Sequence, residues 1–127
     1  MTRNIGFLLY PGYQLLDMAG PLCAFEWASR IAGKPLYRVE LVSVQGGSIS
    51  NSSGISIKTT ALRRSSFNTL IVVGGARWAL KLPDIAAIKS SSAKAKRLAS
   101  VCTGAFVLAQ CGLLEGLRVT THWHRAA

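Results

Sequence analysis

The sequence predicts an α/β fold, a mostly parallel sheet with helices on both faces. Short apolar runs at 5–10 and 70–73 have the continuous hydrophobicity of strands buried on both sides. Segments of helical spacing separate such runs, and the order reads strand, helix, strand, strand, helix, strand, helix, strand. Turn dipeptides, Pro11-Gly12 and Gly74-Gly75, close the two most apolar strands. With 127 residues, 50% of them hydrophobic, the chain reads as one unit, 1–127, with enough apolar material for a core.

Each element has its own signal. Residues 5–10 form the first strand. Pro21 is a favoured first helical residue, which places the first helix at 22–31, before Gly33. Segment 37–44 alternates as a strand does, with Val39, Leu41 and Val44 or their neighbours inward. The polar stretch 45–54 suggests a turn around a hairpin, and 55–57 a short edge strand. A helix or two, rich in Ser and Lys, falls within 80–99. Residues 98–102 read as a strand, 104–110 as a helix closed by Gly112, and 117–122 as a last strand. The chain stops at Ala127, where a doubly wound sheet usually continues, so it reads as truncated at the C-terminus.

Fifteen Lys and Arg against five Asp and Glu give a net charge of +10. Six of the basic residues lie between positions 77 and 97, opposed only by Asp84. Polyanion binding is one reading and a solvated basic helix face the plainer one, because no aromatic residues interleave for base stacking. No apolar run approaches the roughly 18 residues that span a bilayer, and no signal peptide precedes the first strand. Three cysteines make no even disulfide set, and a reduced, cytoplasmic setting is expected.

In a parallel sheet, ligands bind beyond the carboxyl ends of the strands. Those ends here are Tyr10, Gly74-Gly75, Cys102 and His122. Cys102 stands out. Ser100-Val101-Cys102-Thr103-Gly104 has the small-x-nucleophile-x-small spacing of a sharp strand-to-helix turn. A buried cysteine packing as a small hydrophobe is the alternative. Asp17, in an otherwise apolar stretch, is either a proton-handling acid beside Cys102 or a carboxylate capping backbone N–H groups. Gly75 and Thr103 could supply N–H groups to an oxyanion, Gly74 is a ligand-binding or oxyanion candidate beside them, and His122 could pair with the thiol. His124, two residues on, has no evident further ligand, so no metal is expected, and no dinucleotide or phosphate loop is visible. Cys111 follows the helical periodicity of Ala105 and Leu108 into the core.

Residues 99–123, with Cys102, Thr103 and Thr120-Thr121-His122-Trp123, resemble the ThiJ/PfpI superfamily, a branch of the class I glutamine amidotransferase-like fold. So do residues 7–22, ending Asp17-Met18-Ala19-Gly20-Pro21-Leu22, and Val72-Val73-Gly74-Gly75. The resemblance implies a flavodoxin-like α/β sandwich, usually a homodimer, with Asp17, Cys102, Thr103 and Gly75 lining one pocket. Two branches share these motifs. One comprises isonitrile hydratase-like enzymes, whose cysteine attacks a small electrophilic carbon while the aspartate manages the proton. The other is the sensor domain of AraC-type transcriptional regulators, which segments 23–27, 37–54 and 67–75 resemble more. That branch implies a small-molecule ligand bound without turnover, no cofactor, and DNA contact only through a downstream domain. Where protease-like members place a histidine after the cysteine, Thr103 stands here.

Overall fold

The structure, a computed structural model, describes residues 2–76 and 78–121. Its elements follow the order β1 (Arg3–Leu8), α1 (Leu15–Ala32), β2 (Tyr37–Ser43), β3 (Gly47–Ser50) and β4 (Ser56–Ala61). After a 3-10 turn at Leu62–Arg64 come β5 (Thr69–Val72), α2 (Leu82–Lys94), β6 (Arg97–Ser100) and α3 (Gly104–Gln110). The six strands form one sheet ordered β3-β4-β2-β1-β5-β6. Four of its pairings are parallel, and only β3 with β4 is antiparallel. This is the flavodoxin-like arrangement read from the sequence.

The connections set where a ligand can bind. From β1 the chain crosses to β2 on one side and later returns to β5 on the other. Right-handed crossovers in opposite directions put α1 and α2 on opposite faces of the sheet. The loops leaving β1 and β5 therefore diverge, and a crevice opens between them at the carboxyl edge. The core lies on both faces of the central strands: Phe7, Leu8, Leu70 and Val72 are fully buried. Phe7 meets Phe25 of α1 edge-on at 6.3 Å. On the other face Phe67 lies against the bare Cα of Gly6, where an added Cβ would come within 2.9 Å of its ring.

Several boundaries differ from the sequence reading. The first strand ends at Leu8, and the helix after it begins at Leu15, so Pro21 is inside α1 rather than at its start. Pro21 lacks the N–H that would bond the Asp17 carbonyl, and α1 continues through this gap on the packing of Met18, Leu22 and Phe25. The polar stretch 45–54, expected to surround a hairpin, itself contributes β3, which pairs antiparallel with β4; the expected edge strand is therefore the inner strand β4, with β3 at the edge. Hydropathy missed β4 because its side chains bond to each other rather than pack: Thr59 Oγ1 lies 2.6 Å from Ser43 Oγ and donates to the Gly47 carbonyl. Of the two alternatives left open for 37–44, the neighbours are the deeper: Val42 and Ser43 are buried, whereas Val39, Leu41 and Val44 are half-buried. Region 80–99 resolves into α2 followed by β6. The expected strand at 117–122 does not form over 117–121: Leu117 and Val119 are exposed and join no ladder among the described residues. Its apolar alternation has no partner strand to be satisfied by, since β6 is the sheet's edge there.

Helix α3 packs with its backbone directly on β5. A Cβ at Gly104 would overlap the Val72 carbonyl oxygen and lie 3.0 Å from that of Val73. Gly104→Ala should therefore cost about 1–3 kcal/mol in urea unfolding. Gly112→Ala, in open space at a positive φ, should cost only about 1 kcal/mol through backbone strain. Equal losses would contradict the close contact.

Candidate functional site

Three loops converge at the carboxyl edge. The turn after β1 is sewn to the end of β5: Gln14 N–H donates to the Gly74 carbonyl at 2.9 Å, and Ala76 N–H to the Gly12 carbonyl at 3.0 Å. The same turn is tied to the β3 side through Gly12 N–H to Ser50 and Ser52 N–H to Tyr13. Tyr13, fully buried, sits at the centre of this stitching.

Around Gly74 the packing is closest. Its N–H donates to Asp17 Oδ2 at 3.1 Å. A Cβ there would lie 2.6 Å from that oxygen and 2.8 Å from both the amide nitrogen and the hydroxyl oxygen of Thr103. Asp17 and Thr103 thus close on one bare Cα from two sides, which only glycine permits. Gly75 N–H donates to Thr103 Oγ1 at 3.0 Å, and a Cβ on Gly75 would come within 2.5 Å of Tyr13 Cα. Both glycine amides named in the sequence are therefore engaged by the chain's own side chains.

Cys102 follows β6 by two residues, with φ of 53°. Among the described residues it is the non-glycine residue with positive φ, a conformation that costs roughly 1–3 kcal/mol and is held by its surroundings. Val101 N–H bonds the Val72 carbonyl, and Gly104 N–H bonds the Val101 carbonyl, so the bend is fixed on both sides. From beyond, Thr121 Oγ1 donates to the Cys102 carbonyl at 2.8 Å. His122 lies outside the described residues.

Two further residues complete the picture: Tyr10, which the sequence marked as a strand's carboxyl end, and Trp78, which it did not single out. Tyr10 is 2% exposed and donates its hydroxyl to the Val73 carbonyl at 2.8 Å. Its ring stacks on Trp78 at 4.8 Å and 3°. Burial pushes the Tyr10 hydroxyl well above its ordinary range, and the nearby Asp17 and Cys102 push it further. Tyr10, Asp17 and Cys102 thus share one neighbourhood. In front of it opens a cleft of about 410 Å³ lined by Tyr10, Gly75, Trp78, Thr103, Phe106 and Gln110, among others. Of the four residues expected to line one pocket, Gly75 and Thr103 line this cleft, whereas Asp17 and Cys102 are not among its lining residues. The only signal that could have found Trp78 is its place in the loop following a strand's carboxyl end.

A flavodoxin-like sheet with a cleft at the carboxyl edge, walled by a cysteine bend and a paired glycine turn, defines a class of α/β proteins. Within it, this chain belongs to the DJ-1/PfpI family, whose model matches residues 3–126. Among its relatives, an uncharacterized protein in the cpoL 5' region of Streptomyces lividans is 42% identical, over 98% of this chain and 91% of its own. The isonitrile hydratase of Pseudomonas putida is 36% identical, over 97% of this chain and 54% of its own. The HTH-type transcriptional regulator GlxA of Rhizobium meliloti is 32% identical, over 98% and 40%. The chain thus spans about half of the hydratase and less of the regulator. A ThiJ/PfpI family protein from Pseudomonas syringae superposes with a TM-score of 0.80 at 26% identity, over 97% of this chain and 51% of its own. An AraC family transcriptional regulator from Pseudomonas putida shares the fold at a TM-score of 0.80 and 18% identity, over 97% and 68%.

The Tyr10 environment makes a testable statement about pH. Because folding raises this hydroxyl, the unfolded chain loses its proton first as pH climbs past the ordinary value of 10.0. The contribution is complete below pH 10 and declines above it, by up to about 1.4 kcal/mol per pH unit. Tyr10→Phe should lower stability by about 1 kcal/mol at pH 8, through the lost hydrogen bond, yet flatten the decline in urea unfolding between pH 10 and 11. An unchanged slope would contradict this placement.

Proposed function

We propose that this chain is the ligand-sensing and dimerising domain of an AraC-type transcriptional regulator, and that it binds a small molecule without turning it over. The observation that carries this reading is the engagement of the glycine amides. Gly74 N–H donates to Asp17 and Gly75 N–H to Thr103 Oγ1, so of the two donors expected for an oxyanion, Gly75 and Thr103, the Gly75 N–H is already engaged. The cleft is lined by Tyr10, Trp78 and Phe106 together with Gln110, suited to holding a small, partly apolar ligand. The regulators GlxA, GbdR and CdhR among its relatives support the reading. In it, Cys102 is a binding or redox-responsive residue rather than a nucleophile, Asp17 and Gly74 fix the loop junction, and sequence-specific DNA recognition belongs to a separate domain. No described helix is long and apolar enough to cross a membrane, and a cytoplasmic location accords with the free thiols of Cys23, Cys102 and Cys111.

Homodimerisation is supported by α1. Leu16, Trp27 and Ile31 lie 70%, 56% and 82% exposed on a helix whose other side is already packed. Such a stripe along one helix face is the kind of surface that a second copy covers. Trp27→Glu with Ile31→Glu should convert a sedimenting dimer to a monomer without loss of helical signal. A wild-type chain that is monomeric at 100 µM-scale concentration, roughly a Kd weaker than about −5 kcal/mol, would contradict it.

A second reading is favoured by one observation, the positive φ of Cys102. A positive φ at this position would suit an isonitrile hydratase-like enzyme with Cys102 as nucleophile on an elbow and Asp17 as acid and base. Gly75 could then serve as an oxyanion donor only by releasing Thr103. The two readings separate on p-nitrophenyl isocyanide. The regulator reading expects no turnover by the wild-type chain, and a rise in Tm when a cognate metabolite binds. Turnover that falls at least about 1000-fold in both Cys102→Ser and Asp17→Asn would overturn it.

A further inference from the structure

The charge imbalance that is scattered in the sequence is gathered in the fold. Helix α1 ends, and β2 begins, at the edge of the sheet opposite the cleft; the same is true of α2 and β6. Arg3, Lys34, Arg38, Lys94, Lys96 and Arg97 all lie along this edge, on three strands and at two helix-to-strand junctions, with Arg3 and Arg97 on one face of the sheet and Arg38 on the other. All six are exposed, and none forms an ion pair among the described residues. A preference for cations at helix C-termini accounts for Lys94 and Lys34. It does not account for Arg3, Arg38 and Arg97, which stand on strands.

The edge is also rigid. Arg3 N–H donates to the Leu36 carbonyl at 3.0 Å, Asn68 N–H to Asn4 at 2.9 Å, and Arg97 N–H to Asn68 at 2.8 Å. Asn4 N–H closes the row on Asn68 Oδ1 at 2.8 Å. A continuous hydrogen-bonded rim thus runs across β2, β1, β5 and β6, about 14 Å at the usual strand spacing. A facing DNA duplex carries roughly eight phosphates over that length. The nearest acid, Glu40, accepts a hydrogen bond from Ser65 at 2.8 Å. The aromatic ring at this edge, Tyr37, is packed on Phe25 at 4.8 Å and offers no platform for an unpaired base.

We propose that this basic edge binds the phosphate backbone of duplex DNA without regard to sequence. The cleft faces away from it, so ligand and nucleic acid approach opposite ends of the sheet. This surface is independent of the reading of the cleft, and either can fail without the other.

The test is fluorescence anisotropy of the full 127-residue chain with two unrelated 20-bp duplexes across a salt series. The wild-type chain should bind both duplexes equally, with log K falling against log salt at a slope of about −5 for six contacts. Arg3→Gln with Arg38→Gln and Arg97→Gln should flatten that slope by roughly 3 and weaken binding at least about tenfold at low salt. Lys94→Gln with Lys96→Gln, at surface positions outside the strand rim, should flatten it by about 2. Lys58→Gln with Arg63→Gln and Arg118→Gln removes the same charge away from the edge and should leave the slope unchanged. Equal losses in the two triple variants would reduce the effect to net charge and overturn the proposal. So would absence of binding at 50 mM salt, or binding to phosphatidylserine vesicles in place of DNA.

Discussion

The closeness of Gly74 to two side chains is the constraint on which the rest of this molecule depends. Asp17, from the first turn of α1, and Thr103, from the head of α3, both reach the end of β5 at a point where no Cβ fits. That contact joins the loop after β1, the loop after β5 and the bend after β6 into one unit. The strained φ of Cys102 follows from it, because the bend must deliver Thr103 to Gly75 while Val101 stays on the Val72 carbonyl. The Gly104–Val72 contact then anchors α3 against the sheet. Substituting any one of these small residues displaces backbone rather than a flexible side-chain end, and a packed interior has little room to absorb that.

The same contact decides what the site can do. An oxyanion hole needs N–H groups aimed into an empty position before the reaction begins. Here the glycine amides are spent on holding the loops together. The cleft in front is left with the stacked Tyr10–Trp78 pair, Phe106 and Gln110, the surface on which the proposed ligand-binding reading rests. A cysteine bend of this kind serves catalysis or recognition according to which donors stay available beside it. In this chain the geometry of Thr103 is the deciding feature.

Much of this was legible in the sequence, for identifiable reasons. Strands at 5–10 and 70–73 are apolar without interruption, so their place in the sheet's centre could be read directly. The spacing of Ser100, Cys102 and Gly104 marked the bend, and Asp17 was conspicuous among apolar neighbours. Less was visible where hydropathy and structure part company. Strand β4 is held by hydroxyl groups of Ser and Thr, and the start of α1 was hidden by Pro21, which sits inside the helix instead of at its head. Trp78 and Tyr10 meet only through the sheet's topology, and the basic edge joins residues as far apart as Arg3 and Arg97. In the reverse direction, the alternation of 117–122 suggested a strand, yet 117–121 finds no ladder partner among the described residues.

The availability of the Gly75 amide is the most direct measure of this account. Amide hydrogen exchange followed by NMR on the full chain reads it residue by residue. Gly74 and Gly75 should both be strongly protected, and Thr103→Ala should release Gly75 while Gly74, held by Asp17, stays protected. Rapid exchange of Gly75 in the wild-type chain would show the donor to be free, and would contradict the claim that this site is built to hold rather than to react.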